Sequence, residues 1–245
     1  MKITPKDTDY LFVNEKFEKD YGKLDNLMVT IKYVKNPKLE FIKLLTRYDV
    51  FEKDRNINTK KFPHTSIGSG CEIHPLAAIG EDGFGYEYDE TGRPLLFPHG
   101  GDVVIGNDVR ISSFVSIHRG TIDNTWIGDR VKFDSHVHVA HNCVIGHDTR
   151  LCAGAILGGS VTIGHHCFIG LNVTIKDHVN IGDFCIIGSG ANITRDLQDY
   201  RMYYGTPSDH VIKDVKLHEN LSKMVGLEFE NFNPEEEYKR LILNK

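Results

Sequence analysis

Two histidines and a glycine are the residues of this 245-residue chain whose spacing best fits chemistry on a substrate. His141, Gly159 and His178 follow one another at steps of 18 and 19 residues. A histidine can remove a proton from an amine near neutral pH, and a backbone N–H can stabilise negative charge that develops on an oxygen. Gly159 has no Cβ to obstruct its N–H. We therefore interpret His141 as a general base and Gly159 as an oxyanion donor, for transfer of an acyl group to an amine.

The elements that would position these residues follow from a six-residue apolar period. Small or β-branched residues lie two positions before each apolar residue, so positions i−2 and i share the inward face of a short strand. Short strands joined by corners describe a hexapeptide β-helix with three sides and 18 residues per coil, which a helical period of 3.6 cannot produce. The twelve consecutive apolar residues are Ile127, Phe133, Val139, Ile145, Leu151, Leu157, Ile163, Ile169, Ile175, Ile181, Ile187 and Ile193.

This period predicts that the candidate residues share one corner of the prism. Residues 18 apart stack on neighbouring coils about 4.8 Å apart. His141 and Gly159 lie two positions after an inward-facing residue and His178 lies three positions after one, so all three should line a groove within roughly 10 Å. Position alone does not select them, because Gly159 can equally be a corner glycine without function. Five further histidines also lie on strands or corners: His136, His138, His147, His165 and His166.

The period is interrupted twice. Between Ile79 and Val103 it vanishes, and the glycines of this stretch predict a loop followed by a hairpin. Phe84 and Tyr86 alternate there and are candidates for stacking on a nucleotide base. The step from Ile117 to Ile127 is ten residues, which we interpret as two hexads with a tightened corner.

The chain divides into three predicted parts. Residues 1–61 form a small N-terminal α/β cap, with a strand over 27–34 and a helix that begins at Asn36-Pro37 and ends near Tyr48. Residues 62–200 form the β-helix with its loop excursion at 80–103, and residues 201–245 form a C-terminal helical tail. In that tail we expect one helix from about Pro207 to Met224 and a last helix from Asn233-Pro234.

Composition excludes several classes of protein. The net charge of −5 and the lack of a block of Lys and Arg argue against a nucleic-acid partner. The chain shows neither an apolar signal core nor a run of 18 apolar residues, so we expect a cytoplasmic protein that does not bind membranes. Four of the five cysteines occupy the small inward position, which indicates packing rather than a disulfide framework or a metal site.

Five segments, in this order, resemble the UDP-3-O-acylglucosamine N-acyltransferases of lipid A synthesis. They are DGFGY (82–86), VVIGNDVRI (103–111), IHRGTIDNTWIG (117–128), VAHNCVIG (139–146) and HVNIGD (178–183). The resemblance implies a left-handed parallel β-helix and a homotrimer with active sites between subunits. It places the family's catalytic histidine on His141, its second active-site histidine on His178 and its oxyanion glycine on Gly159. Asn142 of the AHN motif joins His178, Phe84 and Tyr86 as a candidate substrate-binding residue.

The chain departs from that family in ways that change the expected substrate. Its N-terminal region is much shorter than the family's uridine-binding domain, and His118 stands where the family's IDRG motif has Asp. Short β-helix proteins of this kind also resemble the N-acyltransferases that modify nucleotide-linked amino sugars. We therefore expect transfer of an acyl group, for example 3-hydroxybutanoyl, from acyl-CoA to a dTDP-3-amino-3,6-dideoxyhexose. The alternative within this class is the lipid A enzyme itself, with acyl carrier protein as donor.

Two other classes remain open at this stage. The γ-type carbonic anhydrases share the prism and bind zinc through histidines, and His136 and His141 match the spacing of two of their ligands. The third histidine should lie near residue 100, yet His99 is in the irregular excursion, and no metal is expected. A non-catalytic trimeric scaffold is the other class. Phosphate groups of either substrate would need cations, for which Lys176, Arg195 and Lys213 are candidates by location.

Overall fold

The structure is a computed structural model that describes residues 10–17, 30–48, 62, 64–205, 210–214 and 223–226. It contains two compact units. The first comprises Met1–Asn56 with Phe84–Pro98, and the second comprises Ile57–Gly83 with His99–Lys245. The hairpin of the excursion thus belongs to the same unit as the N-terminal residues.

The first unit holds a strand pair, a helix and the hairpin. Strands Tyr10–Asn14 and Thr30–Val34 are parallel, and a 3-10 turn covers Glu15–Phe17. The helix Pro37–Tyr48 begins as expected, because Asn36 Oδ1 accepts a hydrogen bond from Leu39 N at 3.1 Å. The hairpin pairs Tyr86–Tyr88 with Pro94–Leu96 in antiparallel register. The strand Tyr10–Asn14 was not predicted from the sequence.

The second unit is a three-sided parallel β-helix whose sides we call faces 1, 2 and 3. Face 1 contains Thr65–Ile67, Val103–Ile105, Thr125–Ile127, Val144–Ile145, Thr162–Ile163 and Asn180–Ile181. Face 2 contains Glu72–Ile73, Arg110–Ile111, Lys132–Phe133, Arg150–Leu151, Phe168–Ile169, Ile186–Ile187, Arg201–Tyr204 and His210–Asp214. Face 3 contains Ala78–Glu81, Ser116–His118, His138–Val139, Ile156–Leu157, Thr174–Ile175 and Asn192–Ile193.

The core of this unit is the set of residues at positions i and i−2 of the predicted period. Phe133, Ile145 and Leu157 are buried, and so are Val131 and Cys143 two positions before the first two of them. Inward alternation on three faces therefore builds one continuous apolar interior, as the sequence predicted.

The residue that turns each corner has a positive φ. At the corner between face 3 and face 1, which we call the His141 corner, Asn142, Ser160 and His178 have φ of 60°, 60° and 61°. The corner between faces 1 and 2 contains His147, and the corner between faces 2 and 3 contains His136. We call the first of these the His147 corner and the second the His136 corner.

Two sequence predictions are wrong. Thr125 pairs with Val103 and Ile127 with Ile105, so the step of ten is not a tightened corner. That coil instead has 22 residues from Ile105 to Ile127, four more than the regular coil, and the extra residues enlarge the His141 corner. The predicted helix from Pro207 to Met224 is contradicted by His210–Asp214, which is a strand antiparallel to Arg201–Tyr204.

The helix prediction failed because residues 210–214 pair with the edge strand of face 2. Val225 packs on Phe184 and Ile186, and the outward-facing Ile186 is consequently buried. The helix predicted from Asn233 lies outside the described residues.

Candidate active site

The three candidate residues occupy one corner of three successive coils. Pairing of Val139 with Leu157, and of Leu157 with Ile175, puts His141 and Gly159 in one column two residues further on. Ser160 N donates to His141 O at 2.9 Å, and His178 N donates to Gly159 O at 2.9 Å. The shared corner predicted from a spacing of 18 is therefore observed, while the groove and the roles of these residues stay predictions.

Gly159 lies directly against the imidazole of His141. An ideal Cβ placed on Gly159 would be 2.6 Å from His141 Cε1 and 2.7 Å from Nε2, so any side chain would displace the ring. Within the described residues the Gly159 N–H forms no hydrogen bond. The backbone of Gly159 and the imidazole of His141 are thereby adjacent, so a tetrahedral intermediate at this corner could be in reach of both groups.

Asn142 fixes which nitrogen of His141 carries the proton. Asn142 Oδ1 accepts from Thr121 N at 3.1 Å and from Thr121 Oγ1 at 3.0 Å, while Nδ2 donates to Asp123 O at 2.9 Å. A backbone N–H can only donate, so the amide oxygen must be the atom that faces Thr121. That same oxygen lies 3.0 Å from His141 Nδ1. In the neutral imidazole Nδ1 therefore carries the proton, and Nε2 has the lone pair that a base needs.

The role that this geometry supports for Asn142 is orientation of His141. Its backbone N–H donates to Thr125 Oγ1 at 2.9 Å, and both atoms of its amide are engaged by the chain itself. Thr121 and Asp123 belong to the enlarged corner of the 22-residue coil. The irregular step in the sequence thus supplies the groups that hold Asn142.

His99 and Gly83 form the other side of His141. His99 is buried, and its ring is 5.6 Å from that of His141 in an edge-to-face arrangement. A Cβ on Gly83 would lie 2.8 Å from His99 Nε2 and 2.9 Å from His141 Cδ2. The first glycine of the DGFGY motif therefore permits a close approach to both rings. Sequence reasoning had placed His99 only in the zinc hypothesis.

Arg119 is a charged group of this corner that sequence reasoning missed. It lies two residues after Ile117, which pairs with Val139, so Arg119 occupies the same column as His141 one coil earlier. Its side chain is only 8% exposed, and Nε donates to Gly101 O at 2.6 Å. Arg119, like His141, lies two positions after an inward-facing residue of face 3. This shared position could have identified Arg119 from the sequence.

The remaining predicted residues lie further from this arrangement or in the other unit. His178 is at the same corner, but its side chain is 76% exposed, and its Nε2 is 3.9 Å from Asp177 Oδ2. Phe84 and Tyr86 belong to the first unit, where their rings meet edge to face at 5.0 Å. Lys176 and Arg195 are exposed, and the side chain of Lys213 is outside the described part of the structure.

The described residues contain no group of three metal-ligating side chains. Within one chain His136 lies at a different corner from His141 and stacks on Phe114 at 4.9 Å, so these two histidines do not converge. All five cysteines are free thiols, and burial raises the pKa of Cys143 to about 12. At neutral pH Cys143 is therefore neither a nucleophile nor a metal ligand.

The sequence matches the family described as bacterial transferase hexapeptide (six repeats) over residues 124–159. It is 36% identical over 153 residues to the UDP-3-O-acylglucosamine N-acyltransferase of Herminiimonas arsenicoxydans. This alignment covers 60% of this chain and 43% of that protein. The chain thus spans less than half the length of such curated relatives. None of the described helices is long and apolar enough to cross a membrane.

Two solved structures share the fold. A crystal structure of UDP-N-acetylglucosamine acyltransferase has a TM-score of 0.58 and 26% identity over 74% of this chain and 64% of that one. A variant of AntD, an N-acyltransferase from Bacillus cereus in complex with dTDP and coenzyme A, has a TM-score of 0.50 and 17% identity. That match covers 79% of this chain and 97% of the neighbour.

The protein is a left-handed parallel β-helix built from hexapeptide repeats, as predicted. Within this class its sequence is similar to the UDP-3-O-acylglucosamine N-acyltransferases, the family whose motifs the sequence carries.

Proposed function

We propose that this protein is an N-acyltransferase that moves an acyl group from a thioester to the amine of a nucleotide-linked sugar. The observation that carries the proposal is the position of the His141 imidazole directly against the backbone of Gly159, with its Nδ1 held by Asn142 Oδ1. The Herminiimonas arsenicoxydans relative is named an N-acyltransferase, which supports the same reaction class.

The geometry supports direct attack without a covalent enzyme intermediate. The sugar amine attacks the thioester carbonyl carbon while His141 Nε2 takes one proton from the amine nitrogen. The carbonyl oxygen becomes an oxyanion that accepts the Gly159 N–H. Collapse of this intermediate breaks the carbon–sulfur bond, and the imidazolium returns its proton to the departing thiolate. An amide and a free thiol result, and His141 is neutral again.

The expected substrates are chosen from what the relatives and the solved neighbours are named for or contain. We expect a dTDP-3-amino-3,6-dideoxyhexose as acceptor and a 3-hydroxyacyl-CoA, for example 3-hydroxybutanoyl-CoA, as donor. The Bacillus cereus neighbour is in complex with dTDP and coenzyme A, which favours this pairing. A cytoplasmic homotrimer is the expected assembly, with Phe84, Tyr86 and His178 in contact with substrate.

A thiol-release assay across amino-sugar nucleotides and acyl thioesters tests this proposal. The panel contains dTDP-linked and UDP-linked amino sugars, with each acyl group offered on coenzyme A and on acyl carrier protein. Turnover of UDP-3-O-acylglucosamine with the carrier protein alone would favour the lipid A enzyme instead. The absence of thiol release from every pair would contradict acyl transfer.

The variant His141→Asn tests the assignment of the base. We expect a folded protein whose kcat falls by about 100-fold or more, because the proton acceptor is lost while the corner stays intact. His136→Asn is the matched control, since this histidine lies at another corner of the same coil. Near-normal turnover of His141→Asn would remove His141 as the base.

A further inference from the structure

Arg119 is a buried cation whose donors are largely unused. A guanidinium has five N–H donors, and within the described residues Arg119 forms one side-chain hydrogen bond, from Nε to Gly101 O. The nearest carboxylate oxygen, Asp82 Oδ1, is 3.9 Å from Nη1, too far for a hydrogen bond. The side chain of Asp82 is itself half exposed to water.

This state is costly for a side chain with no other purpose. Burial lowers the pKa of Arg119, yet a guanidinium stays protonated in proteins, so the charge must be compensated. A neutral side chain could hold the Gly101 carbonyl without that cost. Asp82 and Asp102 place negative charge nearby, but neither forms a hydrogen bond with the guanidinium. An anionic ligand at the corner would supply the missing acceptors.

The position of Arg119 indicates which of the substrates' phosphate groups it would bind. Arg119 and His141 are on adjacent coils of one column, so their backbones are about 4.8 Å apart. In a nucleotide-linked amino sugar only a few bonds separate the amine from the diphosphate on the anomeric carbon. In coenzyme A the long pantetheine arm separates the thioester from the diphosphate. When the reacting groups meet at His141, the sugar-linked diphosphate is therefore the phosphate group that lies one coil away.

We propose that Arg119 binds the diphosphate of the nucleotide-sugar acceptor and thereby sets the distance between that diphosphate and His141. The inference rests on the proposed function for the identity of the acceptor. It assigns Arg119 a binding role that is separate from proton transfer at His141.

Calorimetric titration of the full-length protein with dTDP, UDP and coenzyme A tests this assignment without turnover. We expect Arg119→Gln to weaken binding of the better nucleoside diphosphate by about ten-fold or more, with coenzyme A affected less than two-fold. Arg119→Lys keeps the charge but loses the planar fork, so an intermediate loss is expected. Arg110→Gln removes an exposed arginine on face 2 and is the matched control.

A second variant separates ligand binding from a structural role. Asp82→Asn removes the competing carboxylate, and we expect diphosphate binding to tighten by about two-fold or more. Unchanged diphosphate binding in Arg119→Gln, or no diphosphate binding to the wild type, would overturn the proposal. So would a loss confined to coenzyme A, which would assign Arg119 to the donor. If dTDP binds and its binding depends on Arg119, but no pair in the thiol-release panel reacts, then only the acyl-transfer reaction is contradicted.

Discussion

At the scale of single residues, the proposed reaction depends on how neighbours orient the imidazole of His141. Thr121 and Asp123 orient Asn142, Asn142 holds the proton of His141 on Nδ1, and Gly159 allows the ring to lie against the backbone. None of these contacts is local in sequence except the one between His141 and Asn142. In the proposed reaction these contacts favour a positioning role for Asn142, which would act through His141.

We expect Asn142→Ala to lower kcat by about 10- to 100-fold with little change in KM, because Nδ1 loses its acceptor. Asn142→Asp should retain much of the activity, since a carboxylate still accepts from Nδ1. It should also move the acid limb of the kcat–pH profile upwards, because a negative charge favours the imidazolium. The measurement is a pH profile of thiol release for both variants. Equal profiles for Asn142→Asp and wild type would argue against contact with His141.

At the scale of elements, each corner has its own ladder that ties one coil to the next. At the His147 corner a backbone N–H donates to the side chain one coil further on. Asn107 N donates to Asp129 Oδ1 at 2.7 Å, Asp129 N to His147 Nδ1 at 2.7 Å, and His147 N to His165 Nδ1 at 3.0 Å. Two stacked imidazoles thus replace carboxylates as acceptors in the middle of this ladder.

This ladder predicts different effects for two substitutions of His147. His147→Ala should lower the free energy of unfolding by about 1 kcal/mol, because the N–H of Asp129 loses its partner. His147→Asn should lower it less, since an amide oxygen can accept as Asp129 does one coil earlier. Urea titrations measure both. Equal losses would show that the stacked ring, and not the acceptor, stabilises the corner.

The same corner holds an ion pair that makes stability depend on pH. Burial opposes ionisation of Asp148, but the hydrogen bond from Arg130 and nearby histidine charges outweigh it and lower the pKa of Asp148. Arg130 Nε and Nη2 each lie 2.7 Å from a carboxylate oxygen of Asp148. A carboxyl with a lowered folded-state pKa stabilises the fold above its unfolded pKa near 3.9, and this contribution is lost as pH falls through the folded value.

We therefore expect Arg130→Gln to lower the free energy of unfolding at pH 7 by no more than about 1 kcal/mol, because the Arg130 side chain is half exposed. The difference from wild type should shrink as the pH falls below about 4. Thermal unfolding from pH 7 to pH 3 measures it. A difference that is constant over this range would contradict the ion pair as its source.

At the scale of the whole molecule, the expected trimer must cover apolar side chains beside the His141 corner. Trp126 and Val144 are paired on the outer surface of face 1, and both are exposed in the single chain. Ile156 is exposed on face 3, on the other side of the same corner. Contact between copies at these faces would place a second chain beside His141.

We expect light scattering to give a mass of about three times the 27.7 kDa chain. Trp126 is the one tryptophan in the sequence, so its fluorescence reports on this face directly. Emission should shift to longer wavelength on dilution, as the indole becomes exposed to water. Trp126→Ala should weaken the trimer, whereas Lys132→Ala on face 2 should not. A monomeric wild type would exclude an active site shared between copies.

The sequence by itself determined the winding of the chain. A strict period of six, with inward positions at i and i−2, requires three faces, and a spacing of 18 puts His141 and Gly159 on one corner. These features are local and repeat, so pattern alone reveals them. The helix that begins at Pro37 was also predictable from the sequence, because its N-cap and first turn are local signals.

Only the tertiary structure decided what surrounds His141. Spacing does not encode the contacts between coils that put the four extra residues at the His141 corner, bury His99 and Arg119, and orient Asn142. The strand at His210 formed because face 2 offered an edge strand to pair with, which local propensity does not reveal. A repeat fixes the positions of backbones, whereas the protonation and pairing of side chains are set by neighbours from distant parts of the chain.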